Sequence, residues 1–297
     1  MNKEEISVFS YGKINLFLNI VSKRQDGYHT LDTILQSIDL KDEITIKKAA
    51  KGINITCDDP KVPTDEHNTV YQGACLLREA YDLKIGFDIH LRKQIPYGAG
   101  LAGGSGNGAA VLLGIKALCQ LAIPEVKMLE MARTIGADVP FCLYGGTMRG
   151  EGIGDLLTPL DSFQWDNILV VQPEFGMSTV EMYRRVTPEH YNQYDSHDML
   201  KELESKNYVQ VAKYCRNGFE KIAATVFPEI IDIKNKMIEQ GAVNALMTGS
   251  GSAVVGFFLD KKTLARSAEY FRNDYKKVYE TKTTNKGVGY GKEIRHD

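Results

Sequence analysis

Apolar and polar positions alternate in part along residues 7–20, a stretch rich in residues that favour strands. The pattern predicts one strand or a hairpin. Lys13 and Asn15 lie two positions apart within it and therefore share a face. A lysine among apolar neighbours is costly unless an anion lies opposite it. An anion-binding lysine and an edge-strand lysine that prevents aggregation explain this segment equally well.

The same patterns predict elements along most of the chain. Strands are predicted at residues 43–48, 53–57, 87–91 and 169–172, with two more between residues 245 and 259. Helices are predicted at residues 68–80, 109–117, 124–135, 210–225 and 229–239. We expect residues 187–208 to form loop and helix at the surface, and the polar tail from Thr281 to be loosely held.

Glycines and other small residues are concentrated at residues 95–110, between a predicted strand and a predicted helix. Glycine lets a ligand approach the backbone, and a helix N-terminus adds partial positive charge, so the segment predicts a phosphate-binding loop. Gly98, Gly100 and Gly103 also spell G-x-G-x-x-G. A dinucleotide fold, however, needs a βαβ unit and a suitably spaced acid, and a P-loop needs G-K-[ST]. A purely structural turn is the remaining alternative.

Three other segments carry candidate chemistry. Tyr28 and His29 follow a predicted turn, where they suit a flat polar ligand such as a nucleobase, although this segment alone favours a surface tyrosine and an unengaged histidine. Asp138, in G-A-D-V-P-F, is either a helix N-cap, which the local sequence favours, or a general base. The small-residue turn at residues 248–252 either binds an anion or only joins two strands.

Composition narrows the class of protein. The chain has 297 residues, of which 43% are hydrophobic and 25% charged, as in a folded globular protein of one or two domains. A net charge of −2 with interspersed acids and bases argues against a nucleic-acid partner. The first residues are too charged for a signal peptide, and no apolar run is as long as a membrane span. We therefore expect a soluble, cytoplasmic protein without a membrane partner.

The 5 cysteines and 6 histidines are scattered along the chain. They form no C-x-x-C pair and no spacing typical of a zinc site. We expect reduced cysteines and no zinc site built by the protein.

Four separated motifs occur in the order typical of the GHMP small-molecule kinases, and the chain resembles that superfamily. They are the strand lysine in Y-G-K-I-N-L-F-L-N-I, the glycine-rich loop, G-A-D-V-P-F and the late T-G-S-G turn. Within the superfamily, D-G-Y-H-T-L-D-T is similar to the motif of the members that act on cytidine-diphospho-methylerythritol. The resemblance runs from about residue 12 to residue 256 and is weak near residues 185–240.

The resemblance implies an α+β fold of two parts. A part like ribosomal protein S5 domain 2 would span residues 1–158, and a ferredoxin-like part residues 159–297. The implied reaction is ATP-dependent phosphorylation of the 2-hydroxyl of cytidine-diphospho-methylerythritol, in the non-mevalonate isoprenoid pathway, with Mg²⁺ bound by unknown ligands. A kinase of another alcohol and a nucleotide-binding paralogue with weak turnover are the alternatives. We expect a monomer or a weak homodimer.

The resemblance also implies roles for individual residues. Asp138 takes the proton from the attacking hydroxyl, while Lys13 keeps that carboxylate ionised and steadies the transferring charge. The substrate is assigned to Asn15 near the reacting end, Tyr28 and Tyr183 on either side of the cytosine, and His29 at its polar edge. The nucleotide side is assigned to Asn68, Lys93, Pro96, Gly98, Gly100, Gly103, Gly104, Ser105 and Asn107.

The chain departs from the family loop, G-L-G-G-G-S-S-[DN]-A-A, at three positions, of which Ala102 and Gly106 bear on ligand binding. Ala102 replaces a glycine, which we expect to restrict the approach of a ligand to the backbone. Gly106 replaces a serine, which removes a hydroxyl that could contact phosphate or magnesium.

Overall fold

The computed structural model describes residues 4–291. The first half of the chain contains, in order, β1 (Glu5–Lys23), β2 (His29–Ala49), β3 (Ile53–Cys57), α1 (Thr69–Ala80), β4 (Gly86–Arg92), α2 (Gly103–Leu118), α3 (Glu125–Ile135), α4 (Val139–Tyr144), β5 (Thr147–Glu151) and β6 (Leu156–Pro159). The second half contains β7 (Ile168–Gln172), α5 (Thr179–Arg184), a 3₁₀ turn (Pro188–His190), α6 (His197–Glu204), α7 (Tyr208–Tyr214), β8 (Arg216–Asn217), α8 (Glu220–Val226), α9 (Pro228–Glu239), β9 (Asn244–Met247), β10 (Val254–Phe257), α10 (Lys261–Arg272), β11 (Lys277–Thr281) and β12 (Val288–Tyr290).

Strands β1 and β2 form one long antiparallel hairpin, closed by the turn at residues 24–28. The short strand predicted at residues 43–48 is the end of this longer β2. Pairing of the two strands shifts between Asn15 and Phe17. Irregularities of this kind re-aim side chains. Asn15 can therefore face the cleft described below, while Phe17 is buried in the core.

The first sheet has the strand order β12-β1-β2-β4-β3, with β5 and β6 extending from β2 and β8 pairing with β1. Helices α1 and α2 cover one face, and the buried side chains of α2 include Val111, Leu112 and Ile115. Strands β8 and β12 come from the second half of the sequence, so this sheet uses both halves of the chain. The division into residues 1–158 and 159–297 stays a prediction.

The expectation that the tail from Thr281 is loosely held was wrong for the residues up to Gly291. Thr283 bridges to Ile38, and the Tyr11 N–H donates to the Gly287 carbonyl at 3.0 Å. Strand β12 then pairs with β1. Backbone hydrogen bonds to strands hold the tail, and a polar composition does not reveal them. Residues 292–297 lie outside the described part of the chain.

The second sheet has the order β11-β7-β10-β9, and its neighbouring strands are antiparallel. Its strands and covering helices follow a βαββαβ sequence, which is the ferredoxin-like arrangement. Helices α9 and α10 pack on it through Ile233, Met237, Leu264 and Phe271. The predicted α+β class with two differently built parts is confirmed.

The helix predicted over residues 210–225 is interrupted, because the short strand β8 separates α7 from α8. The Asn217 side chain explains the break. Its Nδ2 donates to the carbonyls of Met247 at 2.6 Å and Gly249 at 2.8 Å, and its Oδ1 accepts from the Phe219 N–H at 2.9 Å. These contacts with a distant turn override the local helical pattern.

Candidate active site

A cleft of about 1280 Å³ brings the predicted site residues together. Its lining includes strand β1, the β1–β2 turn and the glycine-rich loop, together with residues from 172 to 184 and the turn before β10. Every residue that the sequence assigned to catalysis, nucleotide or substrate lines this one cleft. A pocket for one small ligand has a volume of roughly 300–1,000 Å³. The cleft is therefore large enough for two ligands at once.

The glycine-rich loop ends at the start of α2. Helix α2 begins at Gly103, and its first internal hydrogen bond runs from the Gly106 N–H to the Ala102 carbonyl at 2.8 Å. The N–H groups of Gly103, Gly104 and Ser105 precede that bond and therefore have no acceptor within the helix. Together with the helix dipole, they can bind an anion at this end of the cleft.

Ala102 adopts the left-handed conformation, with φ +55°, directly before α2. Glycine is favoured at such a position because it has no Cβ to clash. The departure from the family sequence at residue 102 therefore leaves a strained residue where the loop joins α2. No side-chain hydrogen bond among the described residues caps the N-terminus of α2.

The turn between β9 and β10 packs directly against the glycine-rich loop. The Ser252 N–H donates to the Gly98 carbonyl at 3.3 Å, and the Ala253 N–H donates to the Ala99 carbonyl at 3.2 Å. A Cβ on Gly100, which has φ +75°, would lie 2.2 Å from the Thr248 carbonyl oxygen. The two halves of the molecule thus meet at the loop, and Gly100 allows the contact.

The dinucleotide alternative does not fit this arrangement. The loop follows β4, which is antiparallel to β2, and α2 leads into α3 rather than into a parallel strand. A dinucleotide-binding unit requires a parallel βαβ crossover.

Lys13 and Asp138 converge beside the loop. The Lys13 ammonium donates to Asn15 Oδ1 at 2.8 Å and to the Gly100 carbonyl at 3.0 Å, and it lies 3.7 Å from Asp138 Oδ2. Lys13 is buried, whereas the Asp138 side chain is 38% exposed. Asp138 precedes α4 but makes no capping hydrogen bond with its side chain to any described residue. Its carboxylate is therefore available at the cleft, which favours the general-base interpretation over the N-cap.

Asn15 is fixed from two sides. Its Nδ2 donates to Thr33 Oγ1 at 2.8 Å, and its backbone N–H donates to Thr248 Oγ1 at 3.0 Å. The hydroxyl of Thr33 in turn donates to the Phe17 carbonyl at 2.6 Å. Because its partners are buried, the amide of Asn15 can present one orientation to a ligand.

Aromatic rings line the other end of the cleft. Tyr28 is 61% exposed, whereas His29 is only 5% exposed and stacks on Tyr183, with ring centroids 5.3 Å apart. The Tyr183 ring also meets Phe219 edge-on at 4.9 Å. Tyr28 and Tyr183 both line the cleft, but the ring that stacks on Tyr183 belongs to His29.

Burial controls the protonation of these groups. It lowers the pKa of His29, and the positive charge of Lys23 lowers it further. Burial also raises the pKa of Tyr183 well above its ordinary value, and Asp138 adds to the effect. His29 Nε2 is buried without a hydrogen-bond partner among the described residues. A neutral histidine with an unused ring nitrogen suits recognition of a polar ligand edge.

Three residues assigned to the nucleotide have side chains that are engaged within the protein. Asn68 caps α1, with its Oδ1 accepting from the Val70 N–H at 2.9 Å. The Lys93 ammonium contacts the buried carboxylate of Asp42, and the Asn107 amide contacts both of them. All three residues line the cleft, but their polar groups already have partners.

Sequence reasoning missed Thr33 and Asp42. Thr33 lies within the D-G-Y-H-T-L-D-T motif, which could have drawn attention to it. Asp42 carries no local signal, since its role depends on donors that are far away in the sequence.

The other sequence expectations concern cysteines, metals and membranes. All five cysteines are free thiols, and burial raises the pKa of each of them. Over residues 4–291 there is no group of three or more His, Cys, Asp or Glu side chains that could hold a metal ion. Within the same range, no helix is both long and apolar enough to cross a membrane.

Comparison with known proteins shows the family of the chain. A model of the GHMP kinases N terminal domain matches residues 68–146, and a model of the GHMP kinases C terminal matches residues 199–277. The 4-diphosphocytidyl-2-C-methyl-D-erythritol kinase of Syntrophomonas wolfei subsp. wolfei is 40% identical over 90% of this chain and 94% of its own length. The chain belongs to the GHMP kinases. The enzyme of the same name from Acetivibrio thermocellus is also 40% identical to this GHMP kinase, over 94% of the chain and 99% of the relative.

Solved structures give the same family. A crystal structure of 4-(cytidine 5'-diphospho)-2C-methyl-D-erythritol kinase matches this GHMP kinase with a TM-score of 0.80 and 30% identity, over 94% of the chain and 99% of that structure. Homoserine kinase from Cytophaga hutchinsonii matches with a TM-score of 0.73 at 19% identity, which shows a shared fold only. Family membership makes the chain an ATP-dependent small-molecule kinase.

Proposed function

We propose that this GHMP kinase transfers the γ-phosphoryl group of ATP to the 2-hydroxyl of 4-diphosphocytidyl-2-C-methyl-D-erythritol. The observation that carries the proposal is the meeting of Lys13 and Asp138, 3.7 Å apart, beside the glycine-rich loop. The curated relatives at 40% identity that bear this substrate in their names support the choice of alcohol.

Asp138 is the proposed general base. Its partly exposed carboxylate accepts the proton of the substrate hydroxyl as the oxygen attacks the γ-phosphorus. A new O–P bond forms, the bond between the γ-phosphorus and the bridging oxygen breaks, and ADP leaves with that oxygen. Lys13 provides a positive charge between the carboxylate and the loop, where negative charge moves during the transfer.

The glycine-rich loop is the proposed triphosphate site. The N–H groups of Gly103, Gly104 and Ser105 would bind phosphate oxygens at the start of α2. Gly98 and Gly100 keep the loop backbone close to the turn of the second sheet. Asn68 and Pro96 form the nearby wall of the cleft, where we place the nucleoside of ATP.

Mg²⁺ would accompany ATP. Magnesium in kinase sites is commonly held by substrate phosphates with one or two carboxylates, so a dedicated protein cage is not required. The Ser105 hydroxyl, in the cleft lining at the start of α2, could add one protein ligand while Asp138 keeps its role as the base. When bound, the ion would neutralise charge on the phosphates.

The cytidine end of the substrate would lie among the aromatic residues. The exposed Tyr28 can cover a base that rests against the His29–Tyr183 stack. His29, which lines this end of the cleft, is the residue we assign to the polar edge of the cytosine. Asn15, held by Thr33 and Thr248, would then contact the alcohol near Lys13.

A coupled assay of ADP release across several alcohols tests the proposal. We expect turnover with the cytidine compound and none with homoserine or mevalonate, which lack a group for the aromatic end of the cleft. Turnover with homoserine or mevalonate alone would show that the chain is a kinase of another alcohol. ATP binding in calorimetry without turnover on any of these alcohols would indicate a nucleotide-binding paralogue.

A further inference from the structure

A buried carboxylate lies behind the glycine-rich loop. Asp42, on β2, is fully buried and accepts hydrogen bonds from the backbone N–H groups of Gln94 and Ile95, each at 2.8 Å. It also accepts from Asn107 Nδ2 at 2.9 Å and from the Lys93 ammonium. A buried carboxylate is costly unless it is paired and fully hydrogen-bonded, and Asp42 meets both conditions.

The donors to Asp42 come from both ends of the loop. Gln94 and Ile95 immediately precede it, whereas Asn107 follows it in the first turns of α2. Asn107 is itself fixed, because its Oδ1 accepts from Lys93 at 2.8 Å and its Nδ2 donates to Ser10 Oγ at 2.8 Å. One point on a central strand thus fixes where the loop begins and where its helix starts.

The loop between these anchors needs such support. It is rich in glycine, and glycine loses the most conformational freedom on ordering. A site already held in its binding conformation avoids that loss when the ligand arrives. Anchoring both ends therefore favours the alignment of the α2 N–H groups before ATP binds.

The charge of Lys93 is already used inside this cluster. Its side chain is 6% exposed, and its ammonium contacts the Asp42 carboxylate and the Asn107 amide. The pair carries no net charge, so little of the lysine's field remains for a phosphate in the cleft. The contacts of Lys93 are those of an anchor for the loop.

We propose that Asp42 is a positioning residue for the nucleotide loop, acting with Lys93 and Asn107, and that Lys93 serves ATP through this cluster instead of as a phosphate-binding cation. The inference rests on the proposed function in one respect, namely that the loop binds a triphosphate. It adds Asp42 to the residues on which the reaction depends and changes the role of Lys93.

The Asp42→Asn variant tests the positioning role. The amide keeps the shape but replaces one acceptor with a donor that faces other donors. We expect the Kd for ATP, measured by calorimetry without alcohol, to rise roughly ten- to a hundredfold, because small misplacements in a site can have effects of this size. The KM for the alcohol should change much less. A wild-type or tighter Kd for ATP would overturn the proposal.

Asp32→Asn is the matched control. Asp32 lies on the same strand and also forms an ion pair, accepting from Arg149 Nε at 2.8 Å and from Ser196 Oγ at 2.7 Å. It is not part of the cleft lining. We expect this variant to lose stability while keeping wild-type ATP affinity. An equal loss of ATP affinity in both variants would mean that Asp42 acts only through global stability.

The double variant Asp42→Asn/Lys93→Met tests the assignment of the charge, because it removes both charges of the pair and leaves no unpaired buried carboxylate. If Lys93 acts within the cluster, ATP binding weakens but retains its wild-type dependence on salt concentration. A direct phosphate contact would instead make that dependence shallower in the variant, since a charge pair screened by salt would be missing. That result would overturn this part of the proposal.

Two provisions keep the tests decisive. If Asp42→Asn does not fold, Ser10→Ala replaces it as the test, because this variant removes only one hydrogen-bond acceptor of Asn107. We expect a weaker Kd for ATP and an unchanged KM for the alcohol, and wild-type affinity for ATP would contradict the proposal.

The alcohol preference of the wild-type enzyme tests the proposed function separately. An unchanged Kd in the Asp42 variant alongside wild-type turnover on the cytidine compound refutes only the positioning role.

Discussion

His29 combines burial, a stacked ring and an unused nitrogen at the aromatic end of the cleft. Its neutral form is favoured in the folded protein, because burial and Lys23 both lower its pKa from the ordinary value of 6.5. In the unfolded chain, neither burial nor Lys23 favours the neutral form of His29. Protonation at acid pH therefore favours unfolding, and the same change would disturb recognition of a polar ligand edge.

The direction of this effect can be measured. As the pH falls below about 6.5, the unfolded state binds a proton that folded His29 does not, so the free energy of unfolding should decrease down to the lowered pKa of the folded state. Denaturant unfolding from pH 7.5 to 5 should show a smaller decrease for His29→Gln. His90→Gln, at an exposed position on β4, is the control. Identical profiles for all three proteins would contradict the assignment.

At the scale of single residues, the sequence predicted which side chains line the cleft wherever a short motif surrounds the residue. Tyr28, His29 and Asp138 each lie in a short, specific motif, and all line the cleft. The stacking of His29 on Tyr183 was not predicted, because it depends on the position of a helix far away in the sequence. The strained Ala102 was visible only as a departure from the family sequence.

At the scale of elements, the glycine-rich loop is held by the turn between β9 and β10. The contact requires Gly100, both for its positive φ of +75° and for the 2.2 Å that would separate an added Cβ from the Thr248 oxygen. Periodicity predicted the strand before the loop and the helix after it. It could not predict this packing, which joins opposite halves of the sequence.

Gly100→Ala should therefore be more harmful than an alanine at another glycine with positive φ. We expect it to lower the free energy of unfolding by about 1–2 kcal/mol for the backbone conformation and by about 1–3 kcal/mol more for the overlap with Thr248. Gly146→Ala is the matched control, since Gly146 has φ +83° but its added Cβ meets nothing within 4 Å. Equal losses in chemical denaturation would show that the close contact contributes nothing.

Helix prediction failed where a side chain serves a distant element. Residues 210–225 have helical spacing, yet Asn217 leaves the helix to support the turn at Met247 and Gly249. The prediction of a loosely held tail failed for the same reason, because β12 is defined by its pairing with β1. Local patterns predict elements that are stable by their own amphipathic faces, and they miss those defined by a partner strand.

At the scale of the whole molecule, an antiparallel hairpin sheet and a ferredoxin-like sheet enclose one cleft. The α+β class and the family followed from the order of four motifs, since each motif contributes to the same site. The contact between Lys13 and Asp138 could only be expected by resemblance, because a strand and a helix start from different parts of the chain provide the two groups.

The central claim is that Asp138 removes the proton from the alcohol during phosphoryl transfer. Single-turnover measurements of Asp138→Asn, at saturating ATP and cytidine compound, test it most directly. The account predicts a rate roughly 10²- to 10⁴-fold below wild type, as for the loss of a general base, with near wild-type binding of both substrates. A variant that transfers the phosphoryl group at close to the wild-type rate would contradict it.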